Sequence, residues 1–367
     1  MSERKLEKLR KKIDAADIKL VGLIAERLEA AEKIGHLKRL HGAKVEDGAR
    51  RKGVMDNVSL LAQAKGLRPE MARKIIAELV AEAEGVQKEG KMVVAFQGER
   101  GAYSELAVNQ QFKEKALLPC ETFRQVFDAL EAGDADYAVL PIENSTEGSV
   151  NQVYDLLNEY AVGIHAESFV RVRHCLLALE GASLAGIEEV ISHPQALAQC
   201  SKYVEEKLAF ARVSAFYDTA GAAKAVSEGG KTGVAAIASE EAGRYYGLKF
   251  LAEGIEDNRS NYTRFLLLSK KPTGKIRNPK SSIVFTLKHK AGSLFSALQI
   301  FAERGVNLTK IESRPTKETP WEYLFYMDFE GDAASGKCQE AVEKLKESSE
   351  YIKVLGTYEI GEMETKP

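Results

Sequence analysis

The chain has 367 residues, enough for two or three domains that each bury a core of their own. Its 52 basic and 54 acidic residues leave a net charge of -2, which argues against nucleic-acid phosphates and against a membrane surface as partners. Four scattered cysteines, Cys120, Cys175, Cys200 and Cys338, form no CxxC pair and have no metal-ligand spacing to any of the six histidines, so no metal is expected and the thiols read as reduced and mostly buried.

The N-terminal MSERKLEKLRKK is charged with no apolar stretch behind it, and no run approaches the ~20 apolar residues of a membrane span, so a cytoplasmic protein is expected. From there Leu6, Leu9, Ile13, Ala16, Leu20, Leu23, Arg27, Ala30, Ile34 and Leu37 recur at alternating spacings of three and four, which predicts one helix roughly 55 Å long. Two shorter helices, near 48–64 and 69–88, cannot cover it. A second copy of the chain is therefore expected to pack against it. Arg27 occupies an apolar position of this pattern, with Leu23, Ile24, Ala30 and Ala31 three and four residues away. It must meet an anion from another helix or from a ligand, because a buried unpaired guanidinium costs several kcal/mol. Lys38 is placed similarly, whereas Arg10 has Glu7 and Asp14 within reach on its own helix.

After QKEGK the pattern changes to short apolar runs alternating with helices, among them MVVAFQG, DYAVLPIE, EEVISH, GVAAIAS and TRFLLLS. This predicts α/β units with a mostly parallel sheet, possessing ligand sites at the carboxyl ends of strands, over residues 92 to 270 and in two lobes. Four clusters fall at such ends. QGERGAYS offers an anion site at a helix start. LPIENSTEGSV places Glu143, Asn144, Ser145 and Thr146 ahead of Gly148. SHPQALAQC reads as a helix start capped by Ser192, with Gln199 one turn beyond Gln195, and NYTRF brings Asn261, Thr263 and Arg264. His193, between a cap and a proline, reads as structural. KKPTGKIRNPKS is a second linker, and the remainder has the order βαββαβ of a ferredoxin-like domain.

LRKKIDAADIKLVGLIAER, Lys38, VEDGAR and Gln87 resemble the all-helical chorismate mutases. The resemblance implies a pocket shared between two chains. In it Arg10, Arg27 and Arg50 hold two substrate carboxylates, Lys38 and Gln87 donate to the ether oxygen, and Asp47 lies nearby. Arg51 stands where that family has a glutamate and Ala83 where it has a small hydroxyl residue, which weakens the expected pocket. LPIENSTEGSV, SHPQALAQC, DTAGAA and NYTRF, in this order, resemble the prephenate dehydratases. That resemblance implies Thr263 at the departing hydroxyl, Asn144, Ser192, Gln199 and Glu143 around the substrate, and Arg264 at a carboxylate. AGSLFSALQIFAERGVNLTKIESRP resembles the ACT regulatory domain, implying phenylalanine bound by Gly292, Ser293 and Leu294 with Asn307, Leu308, Glu312, Ser313 and Arg314.

The expectation is a multidomain chain: an all-α helical dimer domain (1–90), a two-lobed α/β domain of the periplasmic-binding-protein kind (91–271) and an α+β ferredoxin-like ACT domain (281–362). The resemblance implies a bifunctional chorismate mutase/prephenate dehydratase, a homodimer or homotetramer without cofactor, inhibited by phenylalanine. The rivals are a monofunctional dehydratase with an inactive helical arm and a non-catalytic amino-acid sensor.

Overall fold

A computed structural model describes residues 2–40, 48–89, 92–271, 274, 276–316 and 322–362. The chain divides into two compact units, Met1–Met92 and Val93–Pro367.

The first unit consists of the helices Ser2–Leu40, Gly48–Ala64 and Pro69–Glu89. Proline is suited to opening the third, since its missing N–H falls where no intrahelical partner exists. That helix packs against both others, yet Leu9, Ile13, Ile18, Leu20, Val21 and Leu23 of the first remain exposed. Three helices from one chain leave the apolar stripe of the long helix uncovered, as its length predicts.

In the second unit two sheets form the two lobes. The larger has the strand order Leu308–Pro315, Tyr323–Glu330, Pro279–Thr286, Ile352–Glu359, Gly163–Arg171, Tyr262–Ser269, Tyr137–Asn144, Val93–Gln97, Ala116–Cys120, with Gly148–Ser149 paired to Tyr137–Asn144. The smaller runs Lys249–Glu253, Cys175–Ala178, Val234–Ala238, Glu189–Ser192, Arg212–Ala215. Both sheets are mixed rather than mostly parallel. Tyr262–Ser269 is antiparallel to both neighbours, and Cys175–Ala178 likewise. These are the strands by which the chain enters and leaves the second lobe, so they run against the strands that stay within one lobe.

The βαββαβ segment does not stand apart from the body. Ile352–Glu359 pairs in parallel with Gly163–Arg171 at Glu359 and Ala166, making one continuous sheet of the first lobe and the C-terminal strands. Gly356 permits the approach: a Cβ there would collide with the Ile164 carbonyl oxygen. No helix among the described residues is long and apolar enough to cross a membrane.

Candidate functional site

Between the lobes lies a cavity of about 420 Å³ lined by Asn144, Gln199, Thr263, Tyr103, His174 and Asp218, among others. Its size is that of a small-molecule site. Three residues singled out in sequence, separated by up to 119 positions, thus share one cleft. Register explains the closest pair: Thr263 stands directly opposite Asn144 in the antiparallel ladder, so both side chains emerge on the same face.

The Asn144 amide has a fixed orientation. Its Oδ1 accepts from the backbone N–H of Thr146 (2.9 Å) and Glu147 (3.0 Å), which leaves Nδ2 to donate to Thr263 Oγ1 at 2.9 Å and Asn261 Oδ1 at 2.7 Å. Thr263 therefore receives a hydrogen bond on its oxygen, and its own proton is available to the cavity.

Glu143 and Arg264, each one residue along from this pair, do not line the cavity. Strand alternation sends them to the opposite face of the sheet. There the Arg264 guanidinium, 7% exposed, donates to Glu167 Oε2 (2.7 Å), Asp328 Oδ2 (2.8 Å) and the Tyr358 hydroxyl (3.0 Å), and Lys280 adds a second cation to Glu167 at 3.0 Å. Facing carboxylates hold Arg264 well above its ordinary pKa against the opposing effect of burial. Glu143 pairs with Lys310 at 2.7 Å, and Ser149 donates to Glu312 Oε2 at 2.6 Å. Both expectations of direct substrate contact are corrected on this geometry.

Ser192 is not the expected helix cap. It ends the strand Glu189–Ser192, and its fully buried hydroxyl donates to the Ile237 carbonyl. The cap of Pro194–Gln199 is His193, whose Nδ1 accepts from Gln195 N–H at 3.3 Å. From QGERGAYS, Gln97, Ala102, Tyr103 and Ser104 line the interlobe cavity, but not every N–H of its turn is open to a ligand. The Gly101 N–H is taken by Glu105 Oε2 at 2.7 Å, and Gly101, at φ +86°, lets Ala242 of the second lobe approach where a Cβ would lie 2.6 Å from its Cα.

Sequence reasoning passed over Tyr103, His174 and Asp218. Asp218 lay within DTAGAA, where its N-cap signature was legible: it accepts from Gly221 N–H at 2.8 Å, while burial raises its pKa above the usual 3.8. Tyr103 lay within QGERGAYS but was not singled out there, and His174 carried no signal of spacing.

In the helical unit a second cavity of about 270 Å³ is lined by Arg27, Lys38, Arg50, Arg51 and Glu84. Arg27 donates to the Leu79 carbonyl at 2.6 Å, so a backbone dipole of the third helix meets part of its charge. The cavity is not without a carboxylate, as Arg51 and Ala83 suggested: Glu84 stands 3.7 Å from Arg51. Arg10 is exposed and, 17 residues from Arg27 on one helix, lies about 25 Å away, outside this cavity. Asp47 and the Gln87 side chain lie outside the described residues.

At the C-terminal end Gly292, at φ +86°, caps Ser293–Glu303. Ser293 and Leu294 line a cavity of about 120 Å³ with Lys288, His289 and Tyr323, and the buried Ser293 hydroxyl has no partner among the described residues. Asn307 precedes the edge strand Leu308–Pro315, on which Leu308, Glu312 and Arg314 are half-buried and Ser313 is exposed. Arg314 reaches Asp155 at 3.2 Å. Within one chain Glu312 and Arg314 thus face the α/β body, not the small cavity.

Comparison with known proteins bears on all three regions. Residues 9–88 match the type II chorismate mutase family, 94–273 the prephenate dehydratase family and 281–347 the ACT domain. The bifunctional chorismate mutase/prephenate dehydratase of Aquifex aeolicus is 36% identical over 96% of this chain and 97% of its own. An Arabidopsis thaliana chloroplast arogenate dehydratase/prephenate dehydratase is 44% identical over 76% of this chain and 75% of its own. The crystal structure of an Arthrobacter aurescens prephenate dehydratase in complex with L-Phe is 32% identical, with a TM-score of 0.68 over 75% of this chain and 92% of the other. With the helical unit, the two-lobed cleft and the C-terminal βαββαβ layer all accounted for across nearly its full length, the chain belongs to the bifunctional chorismate mutase/prephenate dehydratase family of phenylalanine biosynthesis.

Proposed function

We propose that Thr263 donates the hydrogen bond that carries hydroxide away from prephenate, with Asn144 and Gln199 as its companions in the cleft. One observation carries this reading: Asn144 donates to Thr263 Oγ1 while its own oxygen is tied to the backbone. A hydroxyl that accepts one strong hydrogen bond is a better donor of the next, and charge developing on its oxygen is stabilised. As the ring carboxylate leaves as CO2, its electron pair moves through the diene to complete the aromatic ring. The C–O bond of the ring hydroxyl breaks, and the oxygen departs as water with one proton taken up in all. Arg264 is turned away from the cleft and no arginine is among the described residues that line it, so the departing carboxylate meets no guanidinium there that would over-stabilise it.

In the helical cavity Arg27, Lys38 and Arg50 bind chorismate and favour the charge-separated transition state of its rearrangement, which needs neither nucleophile nor proton transfer. Arg10 comes from a second copy of the chain, packed on the exposed stripe of the long helix, and Asp47 and Gln87 complete the set. Arg10→Ala and Arg27→Ala chains, each inactive alone, would on mixing and exchange regain about a quarter of full mutase activity if two chains share each site.

Phenylalanine binds where paired ACT layers bring Gly292–Leu294 of one copy near Asn307–Arg314 of the other. The unpaired Ser293 hydroxyl, the exposed Leu294 and Phe295 and the sheet edge at Leu308–Pro315 support this. Its effect reaches the cleft through Lys310–Glu143, which joins that edge strand to the strand bearing Asn144, and through Glu312–Ser149, which joins it to the short strand paired with that one. Four free cysteines suit a reducing compartment, the cytoplasm. Two assays on the purified chain test the whole reading: chorismate consumption, and phenylpyruvate formation from supplied prephenate. Silence in the second overturns the role given to the cleft.

A further inference from the structure

In the helical cavity the third helix presents Val80, Ala83 and Glu84, whose spacings of three and four place them on one face. Val80 and Ala83 are buried and end in methyl groups, so this wall would be apolar but for Glu84. The Glu84 side chain is half-buried, and its Oε2 stands 3.7 Å from Nη1 of Arg51 on the second helix. That separation makes an ion pair without a hydrogen bond, and a pair whose arginine is half exposed contributes little to stability. The Glu84 carboxylate accepts no hydrogen bond among the described residues, so its oxygens remain for a ligand or for water. The other polar side chains described in the lining, Arg27, Lys38, Arg50 and Arg51, are donors only. Glu84 is therefore the one side-chain acceptor among the described residues of this cavity.

We propose that Glu84 accepts the hydrogen bond of the chorismate ring hydroxyl, with Arg51 as the positioning residue that holds its carboxylate. This rests on the reading of the helical cavity given above. Chorismate brings two carboxylates and an ether oxygen, which only accept and are suited by arginine and lysine N–H groups. Its hydroxyl is the one donor, and a donor drawn out of water without an acceptor loses a hydrogen bond. Glu84 supplies that acceptor. It also offsets the charge of Arg51, which leaves Arg27, Lys38 and Arg50 to the carboxylates and the ether. The hydroxyl has a further use. It is carried by the ring carbon next to the one bearing the ether, on the opposite face. For the rearrangement the enolpyruvyl group must stand axial over the ring, and the hydroxyl then stands axial on the other side. An acceptor that fixes the hydroxyl in that position favours the reactive ring conformer, so Glu84 acts on the rate as well as on binding.

The test uses the full chain with chorismate and with the analogue in which hydrogen replaces the ring hydroxyl. Glu84→Ala is expected to lower mutase kcat/KM for chorismate about thirtyfold and to leave that for the analogue unchanged. Glu84→Gln, which keeps an acceptor oxygen without the charge, should lose about fivefold with chorismate and again nothing with the analogue. Arg51→Met should lose about threefold with chorismate, and nothing further in the Glu84→Ala background. Equal losses on both substrates, or none on either, overturn the proposal. So does a hydroxyl-specific loss in Asp47→Ala that is missing in Glu84→Ala, since Asp47 is then the acceptor. An Arg51→Met loss that persists in full in the Glu84→Ala background removes Arg51 from its positioning role. Failure of the wild type to consume chorismate overturns the proposal together with the reading of the helical cavity, whereas the other failures leave that reading intact. Should Glu84→Ala disturb the helical unit, Glu84→Gln with the two substrates still decides.

Discussion

On the reading proposed above, the helical cavity and the interlobe cleft serve consecutive reactions with opposite chemistry. The first gathers Arg27, Lys38, Arg50 and Arg51 against one carboxylate among the described residues, Glu84. The second sets out amides and hydroxyls with two imidazoles and the Asp218 carboxylate, and its strand sends the neighbouring guanidinium of Arg264 through the sheet to Glu167 and Asp328. A rearrangement that only redistributes charge is served by a cationic field. A reaction that must expel both hydroxide and CO2 is served by directed donors, and a guanidinium at the departing carboxylate would oppose it.

Single substitutions can break this contrast. Thr263→Ala should lower phenylpyruvate formation by about 10³–10⁴-fold and spare chorismate consumption; a near-normal dehydration rate removes Thr263 from its role. Arg27→Ala should do the reverse, lowering mutase activity by about 10²–10³-fold with dehydration from supplied prephenate unchanged. Parallel loss of both activities would mean that the two sites are not independent.

Arg264→Met sharpens the comparison through stability. It leaves Asp328 without its cation and Glu167 with Lys280 alone, both nearly buried beside Arg264, and should destabilise the α/β unit by about 3 kcal/mol in denaturant while leaving the helical unit's transition in place. Wild-type stability would refute the structural role given to this ionic cluster. Lys310→Met is expected to cost less. It should reduce inhibition at saturating phenylalanine about fivefold, with phenylalanine still bound, as read by calorimetry alongside the rate. Full inhibition in that variant would exclude the Glu143 bridge as the route.

The smallest effect is one of pH. The folded His174 pKa lies below the usual 6.5, so the unfolded chain takes up a proton that the native one declines. The contribution to stability is present above 6.5 and is lost as pH falls from there toward the folded value. The difference in melting temperature between wild type and His174→Gln should therefore shrink as pH drops from 7 to 5. A constant difference would show that the ring is not neutral in the native cleft.

What the sequence determined by itself is local and periodic. The alternating spacings of the first segment foretold the 39-residue helix, and the order of LPIENSTEGSV, SHPQALAQC and NYTRF pointed to residues that do share a cavity. Sidedness was not legible. The strand Tyr262–Ser269 is covered on both faces, so its residues show no alternation of apolar and polar to tell Thr263's side from Arg264's. Only the tertiary structure decided that Arg264 and Glu143 face the C-terminal layer and that the His174 ring, in the crossover between the lobes, meets Tyr103 of one and Gln199 of the other. A hydrogen bond between residues 25 positions apart, or an ion pair between residues 167 apart, depends on how the chain doubles back, and no local pattern of residues records that.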